Sequence, residues 1–239
     1  MMSNKKIARV AGLVYLVVVL AGMFSLMYVP SKLIVLADAK LTVDNIIAHE
    51  FLYRLGLVSG LVCYTFFLML PLILYRLLSH VDKTHAILMV VLAVISVPIS
   101  FISILYKFNV LNFISDAEYL RAFSPEQLQA QVMLSLKSYQ NGILIASIFW
   151  GLWLFPFGYL VFKSGILPKF FGIFLMLGSV GYIIGFLGHA LSPIYGETLF
   201  ASVVSIPSAI GEIGICLWLL IMGAKEKPIG TQVSYTSKV

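Results

Sequence analysis

The sequence predicts an all-α integral membrane protein, a six-transmembrane-helix bundle with two amphipathic outer helices, and three observations carry that prediction. Only 11% of the 239 residues are charged and 61% are hydrophobic, against about 25% charged in an ordinary soluble domain. The apolar residues fall in long unbroken blocks, and those blocks lack period-two alternation. So few charges cannot cover a water-facing surface, which makes lipid the solvent for most of the chain. With two cysteines the chain is no disulfide scaffold either.

A hydrocarbon core about 30 Å thick needs roughly 20 helical residues at 1.5 Å each. Residues 7–29, 51–75, 86–106, 139–162, 170–190 and 201–222 meet that length. A β-barrel would need alternating segments of about ten residues, and residues 13–20 and 143–155 do not alternate. The first block follows Lys5, Lys6 and Arg9, as a signal peptide would. It runs on to Tyr28, Pro30 and Lys32 without an Ala-x-Ala site, so an uncleaved anchor is expected.

Orientation follows from Lys and Arg in the connections, which the cytoplasmic side retains. With the N-terminus inside, Lys5, Lys6, Arg9, Arg76, Lys83, Lys163, Lys169, Lys225, Lys227 and Lys238 are cytoplasmic. Lys32, Lys40, Arg54, Lys107, Arg121 and Lys137 are left at the outer side and outer span ends. Both termini are therefore expected in the cytoplasm of a bacterial inner membrane. The basic inner face suits anionic lipid. It suits nucleic acid poorly, because its charges lie on separate short segments rather than in one stripe.

The two long connections are both outer. Thr42, with Asp44 and Asn45 behind it, is expected to cap an amphipathic helix leading into the second span. Ser124-Pro125-Glu126-Gln127 is a capping box with Pro at the first helical position, and Leu128, Val132 and Leu136 recur at helical spacing. That outer helix either continues into the fourth span or bends near Gly142. The segments entered this way also match each other: Tyr53-x-x-Gly56 precedes Pro71, and Tyr139-x-x-Gly142 precedes Pro156, at almost equal distances. This is read either as a parallel repeat of the kind transporters use or as shared membrane composition. Residues 225–239 are polar and interrupted by Pro and Gly, so a disordered tail is expected beyond the single membrane domain, 1–224.

Catalytic signatures are missing. There is no phosphate loop, no Gly-x-Ser-x-Gly elbow and no metal-spaced Cys pair, and His49-Glu50 meets Tyr53 where a zinc motif needs its second histidine. No catalytic residue, metal or cofactor is assigned. Cys63 and Cys216 read as small core hydrophobes. Gly56-x-x-x-Gly60 and Gly181-x-x-x-Gly185 allow close helix approach, either within the bundle or in a homodimer. Trp150, Trp153 and Trp218, with Tyr28, Tyr75, Tyr106, Tyr139 and Tyr159, read as belt or packing residues.

Polar residues inside apolar blocks are more informative. Arg54, Lys107, Asn109, Asn112, Lys137, Gln140, Asn141 and His189 stand at outer span ends, either snorkelling singly or lining an outward-facing vestibule together. Glu212 is the acid at mid-depth, eleven residues after Ala201 and ten before Met222, which is about 15 Å from either face. A charge there costs about 2.5–3.5 kcal/mol, so the carboxyl should face the interior and be neutral or paired. Ser59, Tyr64, Ser96, Ser100 and Ser147 are the expected hydrogen-bond partners, while Arg54 starts too near the outer surface to pair directly.

One linear pattern goes further. Residues 8–16 (ARVAGLVYL), Tyr28-Val29-Pro30-Ser31-Lys32, Tyr53-Arg54-Leu55-Gly56, Ala122-Phe123-Ser124-Pro125-Glu126-Gln127-Leu128 and the stretch GLWLFPFGYLVFKSGILPKFFGIFLMLGSVGYI from Gly151 resemble the bacterial membrane-protein family known as domain of unknown function 4386. The resemblance covers nearly the whole chain and implies one multi-helix membrane domain. It brings no activity and no site residues with it.

Two functions then compete. The first is a small-solute or proton-linked transporter, or ligand-binding bundle, in which Glu212 sits at the centre and Pro71, Pro98, Pro156 and Pro207 break helices. The second is an accessory or structural protein that binds lipid, a membrane-protein partner or a second copy through its outer helices and Gly faces. An intramembrane enzyme is the least supported, because it needs two convergent reactive groups and the sequence offers one mid-depth acid.

Overall fold

The computed structural model describes residues 3–226, and those residues are helical apart from short connections, with no strand among them. The first span is built of α1 (Asn4–Met23), a π-helical turn (Phe24–Tyr28) and α2 (Val29–Leu33). The short α3 (Ala39–Ala48) follows, then α4 (Glu50–Leu78), α5 (Lys83–Phe113), α6 (Pro125–Ser164), α7 (Lys169–Leu191) and α8 (Leu199–Ile221). Six helices are long and apolar enough to cross a membrane.

Side-chain caps start most of these helices, since a helix leaves its first backbone N–H groups without intrahelical partners. Ser3, Asp38, Asp82 and Thr198 each accept a backbone N–H three residues on. At Ser124 both halves of the expected capping box form. Gly165, at φ +67°, ends α6 in the left-handed region that glycine tolerates best.

Three local expectations need correction. Thr42 does not cap the outer helix; Asp38 does, and the Thr42 hydroxyl instead bridges the N–H and carbonyl of Val35. That helix stops at His49, whose ψ of 40° separates α3 from α4. The prolines do not break helices: Pro71, Pro98, Pro156 and Pro207 all lie inside continuous ones. Packing against neighbours makes good the one backbone bond a proline removes. The irregular turn falls at Phe24–Tyr28, a stretch without proline. Outer helix and fourth span are one continuous α6 of 40 residues.

Each span packs on its neighbour in chain order, and α8 returns to pack on α1, which closes a ring. Small residues allow the closest approaches. A Cβ on Gly158 would meet the Gly172 carbonyl oxygen and one on Gly12 the Leu220 backbone. Trp153, Phe157, Leu74 and Leu154 fill the middle, with the Trp153 and Phe157 rings stacked 5.2 Å apart. Leu13, Leu72, Ile102, Phe155, Leu177 and Ile210 point outward and are exposed, the apolar girdle that a lipid environment selects.

The short connections carry the basic residues of one end. There Arg9 Nη2 donates to the Ile221 carbonyl at 3.1 Å across the α1–α8 seam. The Lys225 N–H donates to the Ile166 carbonyl at 3.1 Å and the Lys5 N–H to Glu226 Oε1 at 3.4 Å. The first two residues of the expected disordered tail are thus held on the bundle, and the rest, 227–239, lies outside the described residues.

Candidate functional site

Glu212 faces the bundle interior, and two phenols from different helices hold its carboxyl. Tyr15 Oη of α1 donates to Oε2 at 3.1 Å, and Tyr182 Oη of α7 donates to Oε1 at 3.2 Å. Neither tyrosine was among the expected partners. The serines that were expected turn back on backbone carbonyls: Ser96 to Ala93, Ser100 to Ser96, Ser147 to Leu144, and Ser59 across to Ala21. A serine hydroxyl in a helix finds its own carbonyl three or four residues back, at no cost in reach. Tyr64 lines the same chamber as Glu212, without a hydrogen bond to it.

That chamber has a volume of about 330 Å³, and Cys63, Phe67, Trp150 and Trp153 form its apolar wall. A second cavity of about 620 Å³ opens at the end with the long connections, between α6, α7 and α8. The two cavities share Tyr182, Ser205 and Ser208. Polar groups therefore continue from the wide cavity to the carboxyl, with the Tyr182 ring at the junction.

The expected vestibule residues divide between several places. Lys137, Gln140, Asn141 and His189 line the wide cavity, where the His189 ring stands edge-on to Tyr195 at 5.0 Å. Lys107 turns away from it, into an adjoining pocket that is lined also by Tyr53 and Tyr139 and shares Gln140 and Ile143 with the wide cavity. Arg54 joins none of these cavities; it is ion-paired to Glu50 at 2.6 Å along one exposed helix face. Asn109 and Asn112 line none of these three cavities, and the Asn112 carbonyl instead accepts from the Ser115 hydroxyl.

Tyr139 is not a belt residue, because it is buried beneath Lys107, whose Nζ lies 4.3 Å from its ring centroid. Both Tyr-x-x-Gly segments make the same kind of contact. Gly56 approaches Val29, Gly142 approaches Ser103, and Tyr53 and Tyr139 meet at Lys107. Gly60 and Gly181 are likewise filled from within the chain, by Ser25 and Val204. Gly185 alone of the two Gly-x-x-x-Gly faces has open space beside it, where it lines the wide cavity. Among the described residues no three of His, Cys, Asp and Glu gather as a metal site would require.

Comparison with known proteins adds the following. A family model described as a domain of unknown function, DUF4386, matches residues 10–223. An uncharacterized protein of Archaeoglobus fulgidus is 32% identical over 90 residues, 38% of this chain and 51% of the relative. The match thus spans about half the length of that archaeal protein. No solved structure matches.

Proposed function

The chain belongs to the family described as a domain of unknown function, DUF4386, and from the geometry of its site we propose that it binds a small solute inside the membrane domain and moves it, coupled to a proton, past Glu212. One observation carries this reading: the acid at mid-depth is reached from a polar cavity through shared lining at Tyr182, Ser205 and Ser208. An intramembrane acid is expensive to keep, and it is commonly kept for substrate or proton handling. Lys137 at the mouth favours a neutral or anionic solute over a cation. The positive-inside pattern of the connections supports an outward-facing mouth. The accessory reading draws less from the geometry, since Gly56, Gly60 and Gly181 are filled by the chain itself.

The test is reconstitution in liposomes with an imposed pH gradient. Glu212→Gln keeps the shape of the acid and a hydrogen-bonding amide but cannot ionise. Gradient-driven uptake or proton flux that disappears in this variant, with its melting temperature retained, supports the reading. Equal flux in both proteins overturns it.

A further inference from the structure

The geometry points to a second binding site at Lys107, a pocket for a short-chain aliphatic carboxylate whose carboxylate meets the lysine amine and whose tail lies among the aliphatic residues of the π-helical turn, α2 and α6. This site is separate from the Glu212 chamber and does not depend on the role given to that acid.

Lys107 is 5% exposed, and no acid pairs with it among the described residues. A lysine amine carries three donor hydrogens when protonated. Here Nζ reaches only Ser25 Oγ at 3.3 Å and the Ser25 carbonyl at 3.4 Å, with the Tyr139 ring beneath it. Charge-assisted bonds of lysine run about 2.7–2.9 Å, so these contacts leave the group short of a partner. Ser25 is itself committed, since its hydroxyl donates to the Gly56 carbonyl at 2.6 Å. It also lies in the π-helical turn, a feature that recurs at functional sites.

Independently, the Tyr139 hydroxyl is buried in a residue only 6% exposed, with the Tyr64 and Ser25 hydroxyls nearby but no partner in hydrogen-bond geometry. A hydroxyl buried without a partner is destabilising, and it asks for an acceptor. Lys107, Tyr139, Tyr53 and Gln140 all line one pocket of about 260 Å³, whose remaining wall includes Leu26, Val29, Leu33 and Leu136. One polar end and an aliphatic remainder fit an anionic head with a short tail. The pocket is small beside the two long acyl chains of a phospholipid, which suits a single short tail. Bound there, a carboxylate would accept from Lys107 Nζ and, after a rotation of its O–H, from Tyr139.

Octanoate is the probe, presented to the purified full-length protein in detergent and followed by isothermal titration. Saturable binding is expected, with octanol and octylamine at least tenfold weaker because neither brings the negative charge. Lys107→Met, which keeps an unbranched buried chain, should weaken octanoate at least tenfold. Tyr139→Phe should weaken it severalfold without lowering the melting temperature, because the hydroxyl it removes has no hydrogen bond to lose in the unliganded protein. Glu212→Gln should leave octanoate binding alone, which keeps this outcome distinct from that of the transport assay. Hexadecanoate separates a water-borne from a bilayer-borne source: weaker binding than octanoate supports the short-tail pocket, and hexadecanoate binding without octanoate binding overturns it. Equal affinity for octanoate and octanol, or octanoate binding unchanged in both Lys107→Met and Tyr139→Phe, also overturns the site.

Discussion

Tyr182 stands between Glu212 and the wide cavity: its hydroxyl donates to Glu212 Oε1 at 3.2 Å while the residue lines the cavities on both sides. On the proposed function, a solute passing from one to the other would meet that ring, and displacing it would free one carboxyl oxygen. On that reading the hydrogen bond is both a stabilising contact and a latch.

Removing the latch should have a measurable cost. Tyr182→Phe and Tyr15→Phe each delete one bond to the same carboxyl, and each should lower stability by about 1–2 kcal/mol. The double variant should lose a different amount from the sum of the two, because both bonds share one acceptor group. Thermal unfolding of the three variants in detergent checks this, and strict additivity would count against a shared site.

Two glycines should respond oppositely to alanine. At Gly158 a Cβ would lie 2.6 Å from the Gly172 carbonyl oxygen and 2.9 Å from the Met176 N, so backbone must move. Gly158→Ala should cost about 1–3 kcal/mol, as overpacking does. At Gly185 nothing lies within 4 Å, and Gly185→Ala should be neutral or gain up to about 1 kcal/mol from helix propensity. Melting temperatures of the two variants decide it.

Asp82 makes a pH-dependent contribution. Its carboxylate accepts the His85 backbone N–H at 3.0 Å and caps α5. That bond, more than the nearby His85 side chain, holds its pKa below the usual carboxylate range. A depressed folded-state pKa adds stability that is fully present above the unfolded value, near about 3.9, and lost as pH falls through the folded one. Between pH 5 and pH 3 the wild type should therefore lose more melting temperature than Asp82→Asn, whose side chain caps without titrating.

Topology has its own check. A reporter active only in the cytoplasm, fused after Lys227, should give signal, and a periplasmic reporter at the same place should not. The reverse pattern would turn the bundle over and put the wide cavity on the cytoplasmic side.

The six spans were legible because apolar length alone sets them, and Glu212 was legible because a charge at mid-span is conspicuous. Its partners were hidden by topology. Nothing in a linear reading says that α8 packs on α1, so Tyr15, 197 positions away, could not be preferred over a nearer serine. A usable signal did exist: Tyr15 and Tyr182 lie inside spans, away from the interfacial belt, and a buried phenol usually finds a hydrogen-bond partner. The prolines misled for a related reason. Proline breaks an isolated helix, but these four sit where neighbouring helices hold the segment in line. Lys107 looked like one more outer cation, because sequence cannot show that Ser25 and Tyr139 would enclose it.

Ring closure has a consequence for biosynthesis. The first five spans can pair in the order in which they leave the ribosome, each finding the neighbour just made. The sixth brings Glu212, and one of the two phenols that satisfy it has been waiting on α1 since the start of synthesis. Until the last helix docks on the first, that acid carries an unmet demand in the membrane and the Arg9–Ile221 clasp stays open. A chain stalled or truncated within α8 would therefore leave the seam on α1 unsealed, with Tyr15 short of the acid it donates to.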